Sequence, residues 1–207
     1  MLVVFKLLAK HLRQPSGFIG KMVGRMMNRG NDAMYRYTLG LLDVQPGESI
    51  LEIGFGNGKY IAELAPHVKD GLVAGIDYSE TMVQEAIKSN RTFIEEGTVD
   101  IQLASVEQIP YAKLAFDKVF TVNTIYFWPD VRAGIVEIWR VLKPGGKLFV
   151  AIRSKENMEK FRFTKYDFTL YDADEVARLF QQANYEDVQV HTNRKGSLEF
   201  HCIVATK

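Results

Sequence analysis

The sequence predicts an α/β protein built on a seven-stranded, mostly parallel sheet with helices on both faces. Three observations carry that prediction. From residue 49 onward, short apolar runs alternate with stretches of helical spacing, the pattern of a parallel sheet with crossover helices. A glycine-rich segment follows the first apolar run, where a strand turns sharply into a helix. The last two runs are joined by a turn with no helix between them, which predicts an antiparallel strand at the C-terminal edge.

The elements follow in order. Residues 18–42 read as helical, with a break expected near Gly30-Asn31 and Asn31 or Asp32 capping a second helix. Val44-Gln-Pro-Gly47 is a turn. Strands are expected at 49–53, 72–76, 99–104, 116–122 and 147–152. Helices are expected at 59–68, from Ser79, at 131–142 and at 172–183, with Lys143-Pro-Gly-Gly146 as a breaker before the fifth strand. Residues 188–191 and 198–206 form the closing pair around a turn at 193–196.

The 207 residues are 47% hydrophobic and 25% charged, globular values. A chain of this length buries roughly 70% of the surface its unfolded form exposes, enough for one core with an appendage. The single cysteine, Cys202, excludes an internal disulfide framework and a cysteine-based zinc site, and suggests a cytoplasmic setting. The N-terminal apolar run is interrupted by Lys6, Lys10 and Arg13, too soon for a membrane span, and no small-residue cleavage site follows it.

Charge divides the chain. Residues 1–31 hold six basic side chains and no acidic one, leaving 20 basic against 25 acidic in the remainder. Residues 1–42 are therefore read as a helical cap and 43–207 as the main domain. The acidic body argues against nucleic acid. Lys6, Lys10 and Arg13 repeat at helical spacing, as do Lys21, Arg25 and Arg29. The favoured reading is a cap whose apolar side covers the site; the alternative is a basic amphipathic anchor on an anionic membrane.

The glycine loop reads Glu52-Ile53-Gly54-Phe55-Gly56-Asn57-Gly58. Its glycines let a ligand approach the backbone. Their spacing departs from Gly-x-Gly-x-x-Gly, and Lys59-Tyr60 after Gly58 is no phosphate-binding Lys-Ser/Thr pair. Glu52 would repel a pyrophosphate but suit an ammonium group. Asp77 ends the second strand, 19 residues after Gly58, where a carboxylate accepts from both ribose hydroxyls. It could equally cap the Ser79 helix. Tyr78 could lie on a purine face. The loop 104–111, with Ser105 and Val106, could read a base edge.

Together with Gln108-Ile-Pro-Tyr111, Phe116-Asp-Lys-Val119 and Arg140-Val-Leu-Lys-Pro-Gly-Gly146, these motifs resemble the class I S-adenosylmethionine-dependent methyltransferases, in particular the type-11 small-molecule group. The resemblance implies a Rossmann-like fold, with S-adenosyl-L-methionine as cofactor and in-line methyl transfer to a small-molecule or lipid-like acceptor. It implies that Glu52 and Gly54 face the methionine moiety and Asp77 the ribose. Tyr78 and Met82 would flank the adenosine, and Asn123 would contact the methionine end. Ser105 stands where the family often has an acid. Candidates for the acceptor pocket are Met34 and Tyr37 on the cap, and Tyr126 and Trp128 after the fourth strand. Asn123 and Tyr126 match the ends of a motif found in nitrogen-directed methyltransferases, but Thr124 and Ile125 replace its prolines. No metal cluster, triad or catalytic base is evident: His11, His67, His191 and His201 are scattered. The competing readings are a nucleotide-binding, NAD-type oxidoreductase and a non-catalytic S-adenosylmethionine-binding protein.

Overall fold

The computed structural model describes residues 2–207, leaving aside the side chains of Leu2, Val3, Phe18, Lys21, Arg25 and Asn28. Two helices, α1 (Leu2–Arg13) and α2 (Gly17–Leu42), precede the sheet. There follow β1 (Ser49–Ile53), α3 (Lys59–Val68), β2 (Leu72–Asp77), α4 (Glu80–Ser89), α5 (Arg91–Glu95) and β3 (Val99–Leu103). The second half comprises β4 (Phe116–Val122), α6 (Val131–Val141), β5 (Leu142–Arg153), α7 (Lys155–Glu159), α8 (Ala173–Gln182), β6 (Glu186–Lys195) and β7 (Leu198–Thr206).

The sheet order is β3-β2-β1-β4-β5-β7-β6, with β7 antiparallel to both its neighbours and the other pairs parallel. Strand order reverses between β1 and β4, so the loops after these two strands open a crevice at their carboxyl ends. Strand periodicity assigns the faces. Leu51 and Ile53 of β1 join one core with Ile135 and Ile138 of α6 and Val176 and Phe180 of α8. Ile50 joins the other with Met34 and Tyr35 of α2 and Ile61 and Leu64 of α3. Glu52 shares the parity of Ile50, so it meets α2.

Beyond shifts of one or two residues, three boundaries differ from the sequence expectation. First, α2 runs unbroken through Gly30-Asn31. A glycine costs a helix interior about 1 kcal/mol, but here its carbonyl accepts from Arg153 Nη2 at 2.8 Å. Asn31 bonds across to Asn123 and Arg153 instead of capping, and Asp32 accepts from Lys59 Nζ at 3.0 Å. Second, β5 begins at Leu142 and passes through the expected breaker. Leu142 pairs with Phe116 and Lys147 with Lys118, so the intervening residues bulge; Gly145 is left-handed and its N–H donates to the Lys207 carbonyl. Third, β6 extends to Lys195, which moves the closing turn to Gly196. The short helices α5 and α7 were not expected from the pattern; each has only five residues.

Candidate active site

The glycine loop leaves β1 in a sequence of left-handed turns, with positive φ at Gly54, Gly56 and Gly58. Gly54 tolerates no side chain: a Cβ would sit 2.4 Å from Thr124 Cγ2, in the loop after β4. The loop is thereby pressed against the neighbouring strand end at the point where strand order reverses. Gly58 packs on Ala86 and Asn90 and leads into α3, while Asn57 Oδ1 accepts from the Lys59 N–H at 3.2 Å.

Two carboxyls face each other across the first strands' ends. Asp77 is buried, with Oδ2 accepting from Gly56 N at 3.0 Å and Oδ1 from Ser79 N at 2.8 Å. Burial pushes its pKa up to about 6, against the downward pull of those two bonds. Glu52 is 0% exposed. Burial pushes it up to about 8, reinforced by the charge of Asp77 and opposed by the bond from Tyr35. Tyr35 donates its hydroxyl to Glu52 Oε1 at 2.9 Å and stacks on Tyr60 at 3.7 Å between ring centroids. Glu52 Oε2 is buried and has no hydrogen-bond partner among the described residues. A buried carboxylate oxygen left without a donor is costly.

A cavity of about 1040 Å³, counting its open mouth, lies over the loop. Its walls include Gly54 and Gly56, Asp77 and Tyr78, Ser105, and Asn123. Residues at the joint between α1 and α2 form its roof: Leu12, Arg13 and Pro15 line it, as do Gly24 and Met27 of α2. The roof is tethered to the segment after β2. Tyr78 donates its hydroxyl to the Arg13 carbonyl, Ser79 Oγ donates to the Pro15 carbonyl, and Gly17 N donates to Thr81 Oγ1. Gln14 Nε2 adds a bond to the Tyr78 carbonyl at 3.4 Å.

A second cavity, of about 730 Å³ by the same measure, adjoins the first. The two share Leu12, Met27, Asn31, Asn123 and Phe127 as wall. The remainder of the second cavity is aromatic and apolar, with Phe161, Phe163 and Phe168 from the stretch between α7 and α8, and Arg153 at its rim.

Residues 51–150 match the family described as "Methyltransferase domain". An uncharacterised methyltransferase of Bacillus subtilis, YdaC, is 31% identical over 82% of this chain and 88% of its own length. The chain belongs to the class I S-adenosylmethionine-dependent methyltransferases. A ubiquinone/menaquinone biosynthesis C-methyltransferase, UbiE of Geotalea daltonii, is 26% identical over 77% of the chain and 69% of its own length. The fold is shared with a SAM-dependent methyltransferase from Aquifex aeolicus, at a TM-score of 0.68 and 22% identity over 83% of this chain and 88% of that one. Family membership sets aside the NAD-type oxidoreductase and the non-catalytic binding protein.

In this methyltransferase the residues singled out in the sequence fall into three groups. Gly54, Gly56, Asp77, Tyr78, Met82, Ser105, Val106, Asn123 and Trp128 line the first cavity together. Tyr126 lines the second. Glu52, Asn57, Gly58, Met34 and Tyr37 line neither; Glu52 stands behind Tyr35, which does. Met34 is buried, its Sδ accepting from Asn123 Nδ2 at 3.3 Å, and Tyr37 packs edge-on against Phe200. Trp128 is buried and spends its Nε1–H on Thr124 Oγ1, at 3.2 Å. The sequence reading missed Tyr35, Asn31, Arg153 and the phenylalanines after α7. Only Tyr35 carried a local signal, as an aromatic on the helical face of Met34 and Thr38.

Proposed function

We propose that this methyltransferase acts on a small, largely apolar acceptor seated in the second cavity. One observation carries the reading: the apolar cavity adjoins the one over the glycine loop, and the two share Asn31, Asn123 and Phe127 as wall. When bound, S-adenosylmethionine supplies both an electrophilic methyl group and its own leaving group. What remains for the chain is to bind, orient and keep water out, and aligned proximity contributes about 7–11 kcal/mol. Tyr35, held in place by Glu52 behind it, would border the methionine end, Asp77 would hold the ribose hydroxyls, and Tyr78 with Met82 the adenosine. Ser105 and Val106 would border the base.

The C-methyltransferase named in quinone biosynthesis supports a small-molecule acceptor. An amine acceptor held by Asn123 is disfavoured, because both ends of its carboxamide are used within the protein. Nδ2 donates to Asn31 Oδ1 at 2.9 Å, and Oδ1 accepts from Tyr126 at 3.3 Å. Calorimetry with S-adenosylmethionine, its demethylated product and NAD tests the cofactor assignment; NAD binding in place of the other two would overturn it. A labelled-methyl screen of metabolite and lipid extracts tests the acceptor, and transfer only to protein or RNA would refute this reading.

Residues 1–42 act as the lid of this site, and their outer face favours a lipid-borne acceptor. Val4, Leu7, Ile19, Met22 and Met26 are exposed on α1 and α2, beside exposed Lys6, Lys10 and Arg29. Met26 also lines the second cavity, so the apolar patch reaches its mouth. A patch with no acidic residue repels a second copy of itself and suits an anionic bilayer surface. No helix among the described residues is long and apolar enough to cross a membrane. Flotation with phosphatidylglycerol vesicles should carry the protein, and K6E/K10E should abolish it. Absence of binding, or equal binding by the variant, would sink the membrane contact.

A further inference from the structure

Arg153 is the unspent charge of the second cavity. It ends β5, lines the cavity and is half-buried. Its Nη2 donates to the Gly30 carbonyl at 2.8 Å and to Asn31 Oδ1 at 2.9 Å, both neutral acceptors. By contrast, Arg36, Arg140 and Arg194 each pair with a glutamate. No carboxylate among the described residues pairs with Arg153, and its Nε and Nη1 make no hydrogen bond among them. Burial pushes its pKa below the usual guanidinium value, as a cation lacking a counter-ion requires.

The surroundings narrow what that charge could meet. Phe127 and Phe168 stand edge to face at 4.6 Å between centroids, and Phe163 lies 5.7 Å from Phe168. Such walls accept a flat apolar body. Among the described residues no histidine, aspartate or glutamate lines the second cavity, so no carboxylate or imidazole stands there to take a proton from the acceptor. An acceptor whose hydroxyl must be deprotonated has to arrive already ionised.

We propose that the acceptor is a flat apolar molecule carrying an acidic hydroxyl, a phenol or an enol, bound as its oxyanion with the charge on Arg153. This rests on the assignment of the second cavity to the acceptor. The hydroxyl proton leaves to solvent. An electron pair of the oxyanion, or of the carbon conjugated with it, forms the bond to the methyl carbon. The pair of the broken carbon–sulfur bond stays on sulfur. Arg153 holds the anionic acceptor beside Asn31 and Asn123, where the two cavities meet. Methylation at oxygen removes the negative charge, so the arginine that draws the acceptor in has no hold on the product.

The test is a matched pair of probes, 2-hydroxy-1,4-naphthoquinone, ionised at neutral pH, and its neutral 2-methoxy analogue. Both are titrated by calorimetry into the full chain saturated with S-adenosylhomocysteine. The anionic probe should bind the native protein at least about tenfold tighter. Arg153→Gln should reduce that preference to less than about twofold without weakening the methoxy compound, and Arg153→Lys should retain part of it. Equal affinities in the native protein, binding of neither probe, or a preference that survives in Arg153→Gln would overturn the proposal. The native-protein comparison decides by itself should Arg153→Gln fail to fold. A S-adenosylmethionine titration on the ligand-free protein from the same preparation separates the two levels. Failure to bind it sinks the cofactor assignment, whereas normal binding with equal probe affinities sinks only the role of Arg153.

Discussion

The two cavities that meet at Asn31 and Asn123 are built by different means. The first is made of consecutive short segments at the carboxyl ends of β1, β2, β3 and β4, and much of its shape is backbone: left-handed glycines and the Gly56 and Ser79 N–H groups on Asp77. The second is made of side chains from segments far apart in the chain, with phenylalanines as walls and Arg153 as the one charged residue among the described residues that line it. The contrast separates what is hard to change from what is easy. On the proposed assignment, the cofactor common to the family is held by geometry that few sequences satisfy, while the acceptor is chosen by side chains that can be replaced singly.

The comparison can be broken at several points. The largest effect belongs to Asp77→Ala, which removes the acceptor of two loop N–H groups as well as the proposed ribose contact. Affinity for S-adenosylmethionine should fall at least about a hundredfold by calorimetry, since each buried donor left unmatched costs about 1–3 kcal/mol. An unchanged dissociation constant would remove the cofactor site from this loop.

Glu52→Gln should move affinity and stability in opposite directions. The folded-state pKa of Glu52 is raised to about 8 from an ordinary 4.5, so the folded protein keeps this proton longer than the unfolded chain does. The stability so contributed is complete below pH ~4.5 and is lost as pH rises through about 8. Glutamine has no proton to lose. The variant should therefore melt higher than the native protein at pH 8, by a margin that shrinks towards pH 5, while binding S-adenosylmethionine about tenfold more weakly or worse. Scanning fluorimetry across that range checks it, and a margin that grows on acidification would refute the assignment of charge.

Phe168→Ala should raise the acceptor KM about tenfold and leave the cofactor dissociation constant within about twofold, because Phe168 lines only the second cavity. Equal damage to both would mean that the cavities do not work separately. The smallest effect is Ser79→Ala, which removes a roof tether and the cap on α4. A loss of about 1 kcal/mol in stability is expected by chemical denaturation, with a severalfold faster cofactor off-rate by stopped flow.

The same division explains what the sequence made legible. Strand parity, the loop 52–58 and Asp77 with its Ser79 cap are local, each readable within a few residues. They yield the sheet and, together with the later loops and the family resemblance, nine of the residues that line the first cavity. Arg153 and the phenylalanines after α7 could not be read, since their meaning depends on α2 lying 122 residues away in sequence, as in the Arg153–Asn31 bond. The misjudged break in α2 has the same origin. Gly30 and Asn31 are poor helix residues locally, and tertiary bonds to Arg153 and Asn123 override that preference. The bulge in β5 is held by the far C-terminus, where Lys207 exchanges backbone bonds with Gly145 and Gly146.

The roof tethers have an evolutionary reading. Three of the four use lid backbone, the carbonyls of Arg13 and Pro15 and the N–H of Gly17, while Tyr78, Ser79 and Thr81 of the main domain supply the side chains. The domain thus dictates where the lid sits without constraining which side chains the lid carries. Mutation can redraw the inner face of α1 and α2 towards a new acceptor while the hinge stays in register over the cofactor loop. On the proposed assignment, the lid's share of the acceptor cavity, Leu8, Met26 and Met27 among it, can then vary while the residues over the cofactor loop stay fixed.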